Sequence, residues 1–190
     1  MITVNTTLTD EPRQFRAPQT MTPYELGDSL ARLVWESFTD FISQEDVETP
    51  LADIRTLYDE DRTNGRTAEE ALIFFMWAHT RGVQMAFLGR TPEARIREGL
   101  DALHGAVFED MVENGTKESQ LPLFEQHVSA RYAEYHQAAD QSGNKLGQAV
   151  ASHILDGVVR DTTAAAIQER AVAVAKPLKD FLEEVELIRA

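Results

Sequence analysis

The chain contains no cysteine. Disulfides, thiolate metal sites and a cysteine nucleophile are therefore excluded. Lysine is scarce as well, at four of the 18 basic residues. No stretch approaches the roughly 20 apolar residues a membrane helix requires. Met1 to Arg16 lacks the basic start and apolar core of a secretory signal, so a cytoplasmic protein with no membrane partner is expected. There is no glycine-rich phosphate loop, no Gly-x-Ser-x-Gly elbow and no His-Glu-x-x-His. Glu-x-x-His, which di-iron bundles use on two helices, is also missing, and so is any His-Asp dipeptide. No set of residues carries a family signature.

What is abundant is acid. The net charge is −14, spread evenly, with 10 basic and 17 acidic side chains in residues 1–100 and 8 and 15 in residues 101–190. An acidic surface repels phosphate backbones, so direct nucleic-acid binding is not expected. The converse, a mimic of nucleic acid offering Asp59 to Asp61, Glu109, Asp110 and Glu183 to Glu186 to a DNA-binding protein, requires those carboxylates to line up on one face.

The other prominent feature is Ala71 to Ala78, the eight apolar residues Ala-Leu-Ile-Phe-Phe-Met-Trp-Ala. With no polar face over two helical turns, this run belongs in the middle of the protein. Thr67-Ala68-Glu69-Glu70 before it reads as a capping box, and Gly89 lies just beyond it. The reading is a central helix over about 68–88 whose buried character fades after Ala78, where His79, Arg81 and Gln84 appear.

Amphipathic helices surround it. Thr-Pro pairs at 22, 49 and 91 read as helix starts, with proline suited to the first helical position. Their spacings of 27 and 42 fit no repeat. Leu26, Leu30, Leu33, Val34, Phe38 and Phe41 form one stripe at helical spacing, and Ile96, Leu100, Leu103 and Val107 another. Phe124, Val128, Tyr132 and Tyr135 mark a fifth helix; Leu146, Val150, Ile154 and Val158 mark a sixth. A seventh is expected over about 162–189, kinked or split at Pro177, with Leu178 to Ile188 as a long apolar edge. Several of the glycines at 27, 99, 105, 147 and 157 are expected to let helices approach closely. Met1 to Thr20 reads as a flexible or docking arm, in which Ile2, Val4, Thr6 and Leu8 alternate without a visible partner strand. The prediction is an all-α, six- to seven-helix bundle around the central helix, with an extended or flexible N-terminal arm over 1–20 and one helical domain over 21–190.

Candidate sites are few. His79 ends the central apolar stripe; the ordinary reading is a buried imidazole with one partner. Asp101-x-x-His104 and His153-x-x-Asp156 each share a helical face but make no metal site alone, so neither metal nor cofactor is expected. Tyr132, Tyr135 and His136 adjoin a face of His127, Arg131 and Glu134, which is either a pocket wall or a solvated ion-pair face. Arg90, Arg95 and Arg97 could hold an anion at a helix start or counter acidic neighbours.

Two functions are weighed. The first is a non-enzymatic bundle working through protein contacts, as a homodimer joined along the Leu178–Ile188 edge or with another protein. The second is a small-molecule- or metal-binding helical protein, with enzymatic activity as its extension. Its site, near the polar end of the central helix, would draw on His79, His104, Tyr132, His136 and His153.

Overall fold

The computed structural model describes residues 19–43, 50–60, 65–155 and 157–189. These form a short strand β1 (Gln19–Met21), then α1 (Pro23–Ile42), α2 (Ala52–Glu60), α3 (Arg66–Phe87) and α4 (Glu93–Glu113). A 3-10 turn leads into α5 (Leu121–Ala139), followed by α6 (Lys145–Leu155), α7 (Asp161–Leu182) and a second strand, β2 (Val185–Leu187). The described residues are all-α apart from this one strand pair. Most of the arm, including Ile2 to Leu8, and the Thr49 helix start lie outside the described residues.

The central helix is α3, which packs against each of the other six helices. None of Ala71 to Ala78 is more than 4% exposed. Burial does not fade there: His79, Thr80, Gly82, Val83, Ala86 and Phe87 are buried too. Helix α7 packs along α3, with Ala175 and Leu178 against Gly82, and Tyr132 of α5 meets Thr80. Helix α6 packs on both α3 and α7, and comes so close to α7 that a Cβ on Gly147 would sit 1.9 Å from the Ala164 carbonyl oxygen.

The helix starts divide. At Thr22 the capping box forms as expected: Oγ1 accepts from the Glu25 amide, and the Thr22 amide donates to Glu25 Oε2 at 2.8 Å. Glu25 is held below the usual carboxylate range by these bonds. The Thr67 box does not form. Helix α3 begins earlier, at Arg66, behind Gly65 in the left-handed region, with no side-chain cap. Glu70, which the box would turn back to the helix start, is instead held by Arg131 of α5. Nor does Thr91 cap α4, whose N-cap is Pro92; the Thr91 amide bonds to the Phe87 carbonyl and continues the turn that ends α3.

Two expectations at the C-terminus are corrected. Pro177 neither splits nor ends α7, which runs unbroken from Asp161 to Leu182. The carbonyl it leaves without an amide is that of Ala173, an exposed position where water can serve. The helix then stops well short of residue 189. Val185 and Leu187 are buried and Glu186 is exposed, the period-two pattern of a strand. Beyond Leu182 the helical and strand periods compete, and β1 decides by supplying backbone partners. The pair is parallel, Gln19 to Val185, Thr20 to Glu186 and Met21 to Leu187. Gln19 and Thr20, assigned to the arm from sequence, are thus part of the fold.

Candidate functional site

Helix α5 is tied to the bundle by a seam of polar pairs. His127 Nδ1 lies 2.5 Å from Glu69 Oε1. Arg131 donates through Nε and a terminal nitrogen to both oxygens of Glu70, at 2.8 and 2.6 Å, a two-point geometry specific to guanidinium and carboxylate. Glu70 is 4% exposed, and these bonds hold Arg131 charged even more firmly than usual. Glu134 Oε2 meets His153 Nε2 of α6 at 2.7 Å. The His127–Arg131–Glu134 face therefore meets α3 and α6 through these partners.

The five candidate residues fall as follows. His79 is buried and donates from Nδ1 to the Phe75 carbonyl at 2.8 Å, one turn back. Burial lowers its pKa, so it stays neutral. His104 Nε2 lies 2.9 Å from the Tyr132 hydroxyl, which in turn lies 3.3 Å from Thr80 Oγ1. Burial lowers the His104 pKa and raises that of Tyr132. The Tyr132 hydroxyl thus sits between His104 and Thr80, able to donate to one and accept from the other. The His136 ring packs edge-on to Tyr132 and Trp77, at centroid distances of 6.2 and 5.7 Å. Burial, and then the charge of Arg81, lower its pKa. His153 packs 6.3 Å from Tyr135.

Four of the five thus join one continuous chain of rings: Phe124, Phe108, His104, Tyr132, His136, Trp77, Tyr135, His153. Only His79 stands outside it. Two buried polar atoms in this chain, Trp77 Nε1 and the Tyr135 hydroxyl, have no hydrogen-bond partner among the described residues.

The chain leads to a cleft. Phe124, its first ring, lines a cavity of about 350 Å³ at the opposite end of α3 from the expected site. The walls come from four helices: Trp35 and Phe38 of α1, Ala68, Glu69 and Leu72 of α3, Met111 of α4, Leu123 and Phe124 of α5. None of the five candidates lines it. No family model, curated protein or solved structure matches the chain.

What the cleft can do must follow from its chemistry. It is apolar, with Glu69 as the one ionisable wall residue among the described residues and Asn114, Thr116 and Gln120 at the loop side. Trp35 is fixed in orientation because its indole N–H donates to Asp110 Oδ2 at 2.7 Å. Sequence reading missed this site because Glu69 looked like a capping residue and Trp35 lies outside the apolar stripe assigned to its helix. The one available signal was Trp35 itself, a large indole flanked by Glu36.

The other candidates are accounted for. Arg90 bonds to the carbonyls of Ala86, Leu182 and Val185, and Arg95 to that of Leu187. These guanidiniums cap the end of α7 and the back of β2, and Arg97 pairs with Glu93. The anion reading loses its donors to these carbonyls. Among the described residues no three histidine or carboxylate side chains are placed to share a metal ion. No described helix is long and apolar enough to cross a membrane.

Proposed function

We propose that the protein binds a small molecule with an apolar body in the cleft between α1, α3, α4 and α5. The observation that carries this reading is the cleft: its volume of about 350 Å³ falls within the range of small-molecule sites, and its lining is apolar with few polar groups. Of the walls, α3 and α5 are tied by the Glu69–His127 and Glu70–Arg131 pairs and α1 to α4 by the Trp35–Asp110 bond, which favours a shape formed before any ligand arrives. The test is titration with the neutral fluorogenic probe N-phenyl-1-naphthylamine. Saturable binding is expected, lost in Leu123→Trp and Ala68→Phe, which fill the cleft from its rim. No saturable signal, or equal binding by both filled variants, overturns the reading.

A second reading, self-association as a homodimer, keeps a narrower basis. Leu178, Leu182, Val185 and Leu187 of the expected edge are buried within the chain. Phe181 and Ile188 remain exposed, as do Met85 and Leu88 at the end of α3, which the Arg90 bonds hold against the end of α7. Sedimentation velocity tests it: a monomer at all concentrations removes it.

A further inference from the structure

We propose that the cleft selects an organic cation, a molecule with an aromatic or branched apolar body ending in a quaternary or protonated amine. The inference rests on the cleft being a ligand site and adds the charge of the ligand. It is carried by three features of the lining.

The first is the sign of the charge. Among the described residues the only ionisable side chain in the cleft wall is a carboxylate, Glu69, and no arginine or lysine lines it. One Glu69 oxygen accepts from His127; the other has no hydrogen-bond partner among the described residues. A shallow depression shares Trp35 with the cleft and adds two further carboxylates, Glu36 and Asp40. An anionic ligand would be placed among these groups with nothing to offset the repulsion. A cation gains from all of them, in a partly desolvated setting where such interactions are strengthened.

The second is the aromatic wall. A cation packs favourably on an electron-rich ring face, most strongly on tryptophan. Trp35 presents such a ring, with Phe38 edge-on at 5.7 Å and 82°, and Phe124 also contributes to the lining.

The third is Asp110. Its carboxylate accepts the Trp35 indole N–H at 2.7 Å across 75 residues of sequence. This bond holds the ring plane and draws the N–H proton outward, which enriches the indole face. Asp110 does not line the cleft; it is a positioning residue for Trp35.

Three probes of similar size test the proposal by calorimetry on the intact chain: benzyltrimethylammonium, its neutral carbon isostere neopentylbenzene, and the anion 3-phenylpropionate. The cation is expected to bind about tenfold more tightly than the neutral isostere, the size of one partly desolvated cation–π contact. The anion should bind least. Glu69→Gln, which keeps an acceptor for His127, and Asp110→Asn should each erode the preference for the cation while neutral binding persists. Leu123→Trp should abolish both. If neopentylbenzene binds as well as the cation, the charge inference falls and the cleft reading stands. If no probe binds, both fall. If cation binding is unchanged in both Glu69→Gln and Leu123→Trp, the cation is held elsewhere on the acidic surface and the proposal is overturned.

Discussion

Gly27 sits where α1 crosses α4, and replacing it with alanine measures how closely those helices are pressed. A Cβ at this position would lie 2.4 Å from Ala102 Cβ, 2.6 Å from the Leu103 amide nitrogen and 2.7 Å from the Ala102 carbonyl carbon. Ordinary contact begins near 3.4 Å, so the helices must separate by about 1 Å at the tightest point. Two of the three obstructing atoms are backbone, so no rotamer change relieves them. Overpacking of this kind costs about 1–3 kcal/mol, and rigid neighbours place it near the upper end. Alanine recovers about 1 kcal/mol of helix propensity. Gly27→Ala should therefore destabilise the protein by about 2 kcal/mol net, or lower Tm by roughly 4–8 °C in a chain of this size. Gly105, also within a helix, is the control: its Cβ would meet nothing within 4 Å. There the same change should stabilise by up to about 1 kcal/mol. A second substitution, Ala102→Gly, removes the 2.4 Å contact but not the backbone ones, so it should rescue Gly27→Ala only in part. Urea unfolding followed by helical ellipticity reads the three variants against the parent. A Gly27→Ala protein as stable as the parent, or a Gly105→Ala protein equally weakened, would refute the close crossing of α1 and α4.

Three further outcomes are expected. Arg131→Met leaves Glu70 buried and unpaired and should cost about 3 kcal/mol by chemical denaturation, whereas adding Glu70→Leu should recover most of it; a single variant as stable as the parent contradicts the seam. Tyr135→Phe removes a hydroxyl that is buried without a partner, so it should be neutral or stabilising by up to about 1 kcal/mol; a clear loss in thermal melts would show that the hydroxyl is bonded. His79, His104 and His136 all have pKa values lowered chiefly by burial. Their folded pKa values lie below the unfolded value near 6.5, so the unfolded chain takes protons first. Stability is then full above about pH 6.5 and falls as pH drops below it, by up to about 1.4 kcal/mol per unit for each histidine. Urea midpoints that stay level between pH 7 and 5 would contradict this.

The parts of this protein legible in its sequence are those whose cause is local. Helices follow from a period of 3.6 and from bonds that span four residues, and the Thr22 box closes within one turn. The Ala71–Ala78 run has no polar side, so it was bound to be the middle, whatever surrounds it. Of the glycines expected at close crossings, Gly27, Gly99 and Gly147 meet a neighbouring helix, whereas Gly105 faces open space. That difference depends on where other helices lie and cannot be read along the chain.

Everything concerning the site was decided at a distance. Glu69 and Glu70 have the spacing of caps, yet one is held by His127 and the other by Arg131, 58 and 61 residues away. Val185 continues the helical stripe of Leu178 and Leu182 as readily as it alternates with Leu187 in a strand; β1 settled the matter from the other end of the chain. The cleft is an absence of atoms among four helices, and no residue records it. Sequence alone therefore determined the helices, the central element and the acidic surface, because propensity, periodicity and charge act on neighbours in the chain. Only the tertiary structure determined the strand pair, the polar seam along α5 and the cleft beside Glu69, because partners far apart in sequence compete for the same side chains and packing chooses among them.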